Sequence, residues 1–277
     1  MPDPRTLAEE EVTAGTCTGV QARELLHRRT VMDFALGEES PGVPLTAGSG
    51  VPWFSVSELP AGPALARAWE LGLLGPDDLV RDHLPEFTGG GRDAVTVRHP
   101  WSHTAPLRAA DRAAGGAFDQ GWDKLIALIC ATDADPDRIP GQRAAHLGHA
   151  GYLLLGEIVA RRSGTAFADF LRTEVTEPLG LSAALGGPPG ARVVQVPYLG
   201  PAELAARVAA FAVAEGCHGA CVAGSCGGAA VAAEVVRTGG LHRGRRLLRE
   251  ETCAALVRAR RTPWTRRWAC RCGGDSG

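Results

Sequence analysis

The spacing of apolar and polar residues divides the chain into short elements. Residues 15–35 hold brief apolar stretches, ending in "RTVMDFALG", that predict strands. The Gly-, Pro- and Ser-rich run "ESPGVPLTAGSG" predicts a loop. In "PALARAWELGLL" (63–74), Leu65, Ala68, Trp69 and Leu73 fall on one helical face. "GPDDLVRDHLPEF" reads as a turn and short helix, and "AVTVRH" as a strand or extended segment. An amphipathic helix is expected over 118–131. The strongest helical pattern is "GYLLLGEIVARRSG" (151–164), with Arg161 and Arg162 in the last turn and Gly164 as its stop. "TAFADFLRTEVTEPLGL" predicts a second helix ending before Pro178. "ARVVQVPYL" reads as a strand, residues 201–215 and 228–238 as helices, and "LLREETCAALVRAR" as the last ordered helix.

These patterns fill 277 residues, enough for a sizeable core, and 45% hydrophobic with 22% charged residues is a globular composition. A net charge of -2 argues against a nucleic-acid or membrane-surface partner. No apolar run reaches the roughly 20 residues of a spanning helix. The start "MPDPRTLAEEE" lacks a basic-then-apolar leader pattern, so a cytoplasmic location is expected. The eight cysteines fit free thiols better than a disulfide framework, and "CHGAC" matches no standard zinc spacing. No metal or other cofactor is expected, and oligomeric state is not legible. The 29 basic residues include a single lysine, Lys124, and asparagine is absent altogether. A GC-rich gene encodes such a chain.

Candidate chemistry begins at "WFSVSEL" (53–59). Ser55 and Glu58 have the spacing of a capping box, in which the serine oxygen and the glutamate satisfy each other's backbone N–H groups. Pro60 and Pro63 suit only a helix's first turn. The helix is therefore either kinked or begins near Gly62–Pro63, leaving Ser55 in a loop.

Five collinear segments carry a resemblance: "VPWFSVSE", "ELGLLGPDDLVRDHLPEF", "AVTVRHPWSHTAPL", "IPGQRAAHLGHAGYLLLGEIVARRSGTAFADFLRTEVTEPLGL" and "GGLHRGRRLLREET". Together they resemble the serine β-lactamase and penicillin-binding-protein-like hydrolases, in the class C and esterase branch. The resemblance spans roughly residues 40–255. It implies an α/β (α+β) fold, an antiparallel sheet flanked by helices beside a helical lobe, with the site between them. It also implies acyl transfer from a small ester or amide through a serine acyl-enzyme.

The resemblance places the nucleophile on Ser55 and the family's partner lysine on Glu58. Counting forward from Pro140-Gly141 places its tyrosine on His146; counting back from Gly151-Tyr152 places it on Leu147. The candidate catalytic residues are therefore Ser55, Glu58 and His146. Glu58 can accept a proton but brings negative charge to a site that must stabilise an oxyanion. An imidazole can act as a base near neutral pH, so His146 can serve as one; its other reading is a histidine on an irregular loop. His103 in "SHTAPL" matches the family's His-Thr-Ser-Gly segment in part and reads as structural. Impaired or absent activity is expected. The alternative is a non-catalytic, degenerate family member or truncated gene product that acts, if at all, as a binding module. "AGSCG" (223–227) offers a second motif, with the shape of a nucleophile elbow at Ser225.

One incomplete domain is expected over 1–262, lacking the family's C-terminal strands, with an aberrant or disordered tail over 263–277. Back-translated with GC-rich codons and read one base out of step, that tail gives Pro-Leu-Asp-Ala-Ala-Leu-Gly-Leu-Pro-Val-Arg-Trp-Gly-Leu-Gly. That is a strand-like sequence, and it suggests a frameshift near the Pro263 codon.

Overall fold

The computed structural model describes residues 3–117, 120–185, 193–194 and 221–257. Helix α1 (Pro4–Thr13) leads into a long hairpin, β1 (Gly19–Leu26) and β2 (Arg29–Ser40), extended by the short β3 (Val43–Pro44). These three strands form an antiparallel sheet in the order β1-β2-β3. A second antiparallel sheet has β6 (Val222–Gly224) between β4 (Val51–Pro52) and β5 (Ala183–Leu185). A small hairpin, β7 (Leu241–His242) and β8 (Arg245–Arg246), lies near the end of the described chain. The architecture is the expected α/β mixture of antiparallel sheets and a helical lobe.

The helical core is built around α2 (Glu58–Glu70) and α7 (Ala150–Ser163). Around them lie α3 (Val80–His83), α4 (Arg98–Trp101), α5 (Arg108–Gly115), α6 (Trp122–Ala131) and α8 (Phe167–Leu171). Helix α8 runs into a π-helical turn, Arg172–Thr176. Leu65, Leu84, Phe87, Leu107, Leu125, Leu153, Leu154 and Ile158 are completely or almost completely buried here. Helix α9 (Cys226–Arg237) packs on β1 and on α2, so it ties the hairpin sheet to the helical core. Helix α10 (Glu250–Val257) packs beside α2 and α9.

Local signals explain several boundaries. Helix α7 ends at Gly164, whose φ of 71° is left-handed and comfortable only without a Cβ. Its N-terminus is capped from another helix: the Asp111 carboxylate of α5 accepts the N–H groups of Gly148, His149 and Ala150 at 3.3, 2.8 and 2.9 Å. Segment 94–99, expected as a strand or extended segment, forms no continuous strand. Thr96 makes one isolated bridge to Leu79, and α4 begins at Arg98. The helix expected over 118–131 begins at Trp122.

The two prolines do not delay α2. A single 3₁₀ turn, Phe54–Ser57, runs directly into Glu58, and Pro63 lies inside the helix. Pro60 sits in the first turn, where its missing N–H has no helical acceptor to lose. Pro63 forfeits one intrahelical bond, yet it is buried together with Ala61, Ala64, Leu65, Ala66 and Ala68. Packing on almost every side outweighs the local propensity. The strand expected over 191–199 is described only at Val193, which bridges Gly50, and Val194. The helix expected over 201–215, the division near residue 263 and the tail beyond it lie outside the described residues.

Candidate active site

Ser55 stands in the 3₁₀ turn before α2, and that turn is anchored to β6. The Trp53 N–H donates to the Val222 carbonyl at 2.8 Å, and its indole N–H donates to the Gly224 carbonyl at 2.8 Å. The Val222 N–H donates to the Ser57 hydroxyl at 2.8 Å. Between these anchors, Phe54 adopts a φ of 44°, a left-handed conformation that is a genuine outlier for a bulky residue. Backbone strain of this kind, on the order of 1–3 kcal/mol, persists only where the surroundings enforce it. The result is an exposed Ser55 side chain on a rigid turn.

The Ser55 hydroxyl lies 3.1 Å from His146 Nε2. The capping box is not formed. Neither the 3₁₀ turn nor α2 has a side-chain cap, and Ser55 contributes only its carbonyl to the Glu58 N–H. Glu58 faces His103, with its Oε2 3.1 Å from His103 Nε2. The Ser-x-x-Glu spacing therefore serves two separate contacts across the site rather than a reciprocal cap.

His103, which the sequence reads as structural, lies between Glu58 and the His146 loop. Its own φ is 55°, again left-handed. Its Nδ1 accepts the Leu147 N–H at 3.2 Å, and its carbonyl accepts the Ala145 N–H at 2.8 Å. His103 thus grips the loop on both sides of His146, and the two imidazole centroids are 4.9 Å apart. Because Nδ1 is an acceptor, the neutral ring carries its proton on Nε2 and donates it to Glu58. His146 itself is exposed on an irregular stretch between Gly141 and α7, whereas Leu147 is completely buried in the core. Of the two positions to which the tyrosine was traced, His146 meets the serine.

Tyr152 lies beneath this cluster, its ring 5.9 Å from that of His103. Burial first, and then the negative charge of Glu58, push its phenol well above the usual range. It stays protonated at any ordinary pH and is no base. Lys124 sits on α6. Cys17, Cys130, Cys221, Cys226 and Cys253 are free thiols among the described residues. Ser225 does follow a strand and precede a helix, but it is no elbow. Its backbone is relaxed at φ -78°, ψ 156°, and its hydroxyl is spent on capping α9 through the Gly228 N–H.

The likeness seen in the sequence is matched by the molecule. A profile of the Beta-lactamase family matches residues 5–271. The chain belongs to that family. Penicillin-binding protein 4* of Bacillus subtilis (strain 168) is 28% identical over 184 residues, which cover 64% of this chain and 39% of that protein. The chain therefore matches well under half the length of that relative. A penicillin-binding-protein homologue from Caulobacter crescentus superposes with a TM-score of 0.73 at 25% identity, over 93% of this chain and 74% of its own. A family VIII carboxylesterase also gives 0.73, at 21% identity, over 92% and 74%; that likeness speaks for the fold. Glutamate and histidine stand at the positions where the resemblance puts lysine and tyrosine. No helix among the described residues is long and apolar enough to cross a membrane.

Proposed function

We propose that the chain is an impaired acyl-transfer hydrolase, acting on a small ester or amide through Ser55 with His146 as its base. The observation that carries this reading is the 3.1 Å contact between the Ser55 hydroxyl and His146 Nε2. In the reaction, the Ser55 Oγ attacks the substrate carbonyl carbon while His146 Nε2 takes the hydroxyl proton. The tetrahedral adduct collapses to an acyl-serine, and the imidazolium returns the proton to the leaving group. Water, activated by the same imidazole, then releases the acid. His103 positions His146 by holding the backbone on either side of it. Glu58 stabilises an imidazolium nearby but opposes the oxyanion, and this opposition, with no ammonium at its position, supports impairment.

The second reading is a non-catalytic family member that binds without turnover. It is favoured by Glu58 itself, which stands where the family's lysine is expected. A fluorescent acylating β-lactam and a chromogenic ester separate the two readings. Acylation predicts labelling that Ser55→Ala abolishes and that His146→Ala lowers by about 10²–10⁴-fold, the usual worth of a general base. No labelling of the wild type at long incubation, or labelling that survives Ser55→Ala, rejects the catalytic reading.

A further inference from the structure

We infer that Glu58, His103 and His146 together form a binding site for a divalent transition-metal ion, with Zn²⁺ the best-matched cation. One carboxylate oxygen and one nitrogen from each imidazole lie within 4.8 Å of one another. Two imidazoles and a carboxylate are a donor set that suits zinc, whereas magnesium and calcium favour oxygen alone. Among the described residues the one ion-pair partner of Glu58 is His103. A tetrahedral zinc ion with bonds of about 2.0–2.1 Å holds its ligand atoms about 3.3 Å apart; the Glu58–His103 pair at 3.1 Å already has that spacing, so His146 must close in by up to about 1.5 Å.

The scaffold permits that movement on one side. Glu58 is fixed at the start of α2, and His103 is held in its strained turn. His146 is exposed on an irregular stretch, so its side chain is the ligand that turns inward, giving up its contact with Ser55. Three protein ligands leave a fourth position for water or the Ser55 hydroxyl, as in open zinc sites. For His103 to bind through Nε2, its ring proton must sit on Nδ1 instead. The ring then gives up the Leu147 N–H bond. That cost sets the affinity below that of a closed structural zinc site. Nε2 of His146 is the nitrogen facing Ser55, so an ion held there withdraws the base from the serine. This inhibitory consequence rests on the acyl-transfer reading; the binding itself does not.

The test uses the metal-stripped full chain and Zn²⁺ alone, with bound metal counted by equilibrium dialysis and mass spectrometry. One Zn²⁺ per chain is expected, with affinity lowered at least about tenfold in Glu58→Gln and in His103→Asn, and retained in Ser55→Ala. Zinc should also raise the Tm of the wild type, a readout that needs no variant. Co²⁺ in place of zinc should give visible absorption without a thiolate charge-transfer band. Absence of stoichiometric binding, undiminished affinity in both ligand variants, or a thiolate band that puts the ion on cysteine overturns the proposal. Absence of Ser55 acylation in the metal-free chain, with zinc binding intact, rejects only the catalytic reading. Acylation without zinc binding rejects only the metal site.

Discussion

His103 shows why one residue's role escaped the sequence. Its neighbours Ala105 and Pro106 break the family's His-Thr-Ser-Gly pattern, so the segment looked structural. What makes it part of the site is its placement: a partner 45 residues earlier in Glu58, and a loop more than 40 residues later. No local periodicity encodes either. The backbone adds a constraint that the side chain alone does not reveal, because φ at position 103 is 55°. A left-handed conformation costs most L-residues about 1–2 kcal/mol, and asparagine pays least among those with a side chain. His103→Asn is therefore expected to be more stable than His103→Ala by about 0.5–1 kcal/mol in urea denaturation. Both variants lose the imidazole contact to Glu58. Equal stability of the two would show that the positive φ is not enforced.

At the scale of elements, the sequence was most legible where signals are local and least legible where packing overrides them. Helix α7 ends at Gly164, as its terminal arginines and glycine imply. The sequence leaves the start of α2 open between a helix kinked at Pro63 and a later start near Gly62–Pro63; burial of the segment around Pro63 decides against the later start. The cap of α7 was also hidden, since Asp111 reaches it from α5. Removing that carboxylate leaves three N–H groups at the base of the His146 loop without an acceptor. Asp111→Ala should cost about 2–3 kcal/mol and lower Ser55 labelling together with stability. The seat of the serine turn makes a sharper test. A Cβ at Gly224 would lie 2.6 Å from the Ala183 Cβ and 2.8 Å from Trp53 Cζ2. Gly224→Ala must displace the indole that anchors the turn before Ser55. The expected cost is about 1–3 kcal/mol, visible as a lower urea midpoint and altered tryptophan fluorescence. An unchanged midpoint would mean that β6 yields without disturbing Trp53.

At the scale of the molecule, acidic groups tie the pieces together and set its response to pH. Glu70 closes α2 and joins it to α10, its side chain only 6% exposed. Burial alone would raise its pKa. The Arg249 N–H, the Thr252 hydroxyl and the Arg67 guanidinium outweigh that and hold it below the usual carboxylate value of 4.5. Glu86 is likewise held low: its hydrogen bond to Arg161, which links the α3 region to α7, outweighs the opposing effect of burial. A carboxylate whose folded pKa is depressed contributes stability that is fully present above its unfolded value. That stability is lost as pH falls through the folded value. The window for both residues therefore opens just below the ordinary value of 4.5 and extends downward. Glu70→Gln should lower unfolding stability near pH 7 by about 1–2 kcal/mol, because a neutral amide replaces the charged acceptor of the Arg249 N–H and of Arg67, which keeps Glu174. As pH falls from about 5 towards 3, the wild type should lose stability while the variant changes less, so the two curves converge. Urea denaturation of both proteins across that range reads the effect directly. Parallel curves, with the gap undiminished in acid, would show that Glu70 acts through shape rather than charge.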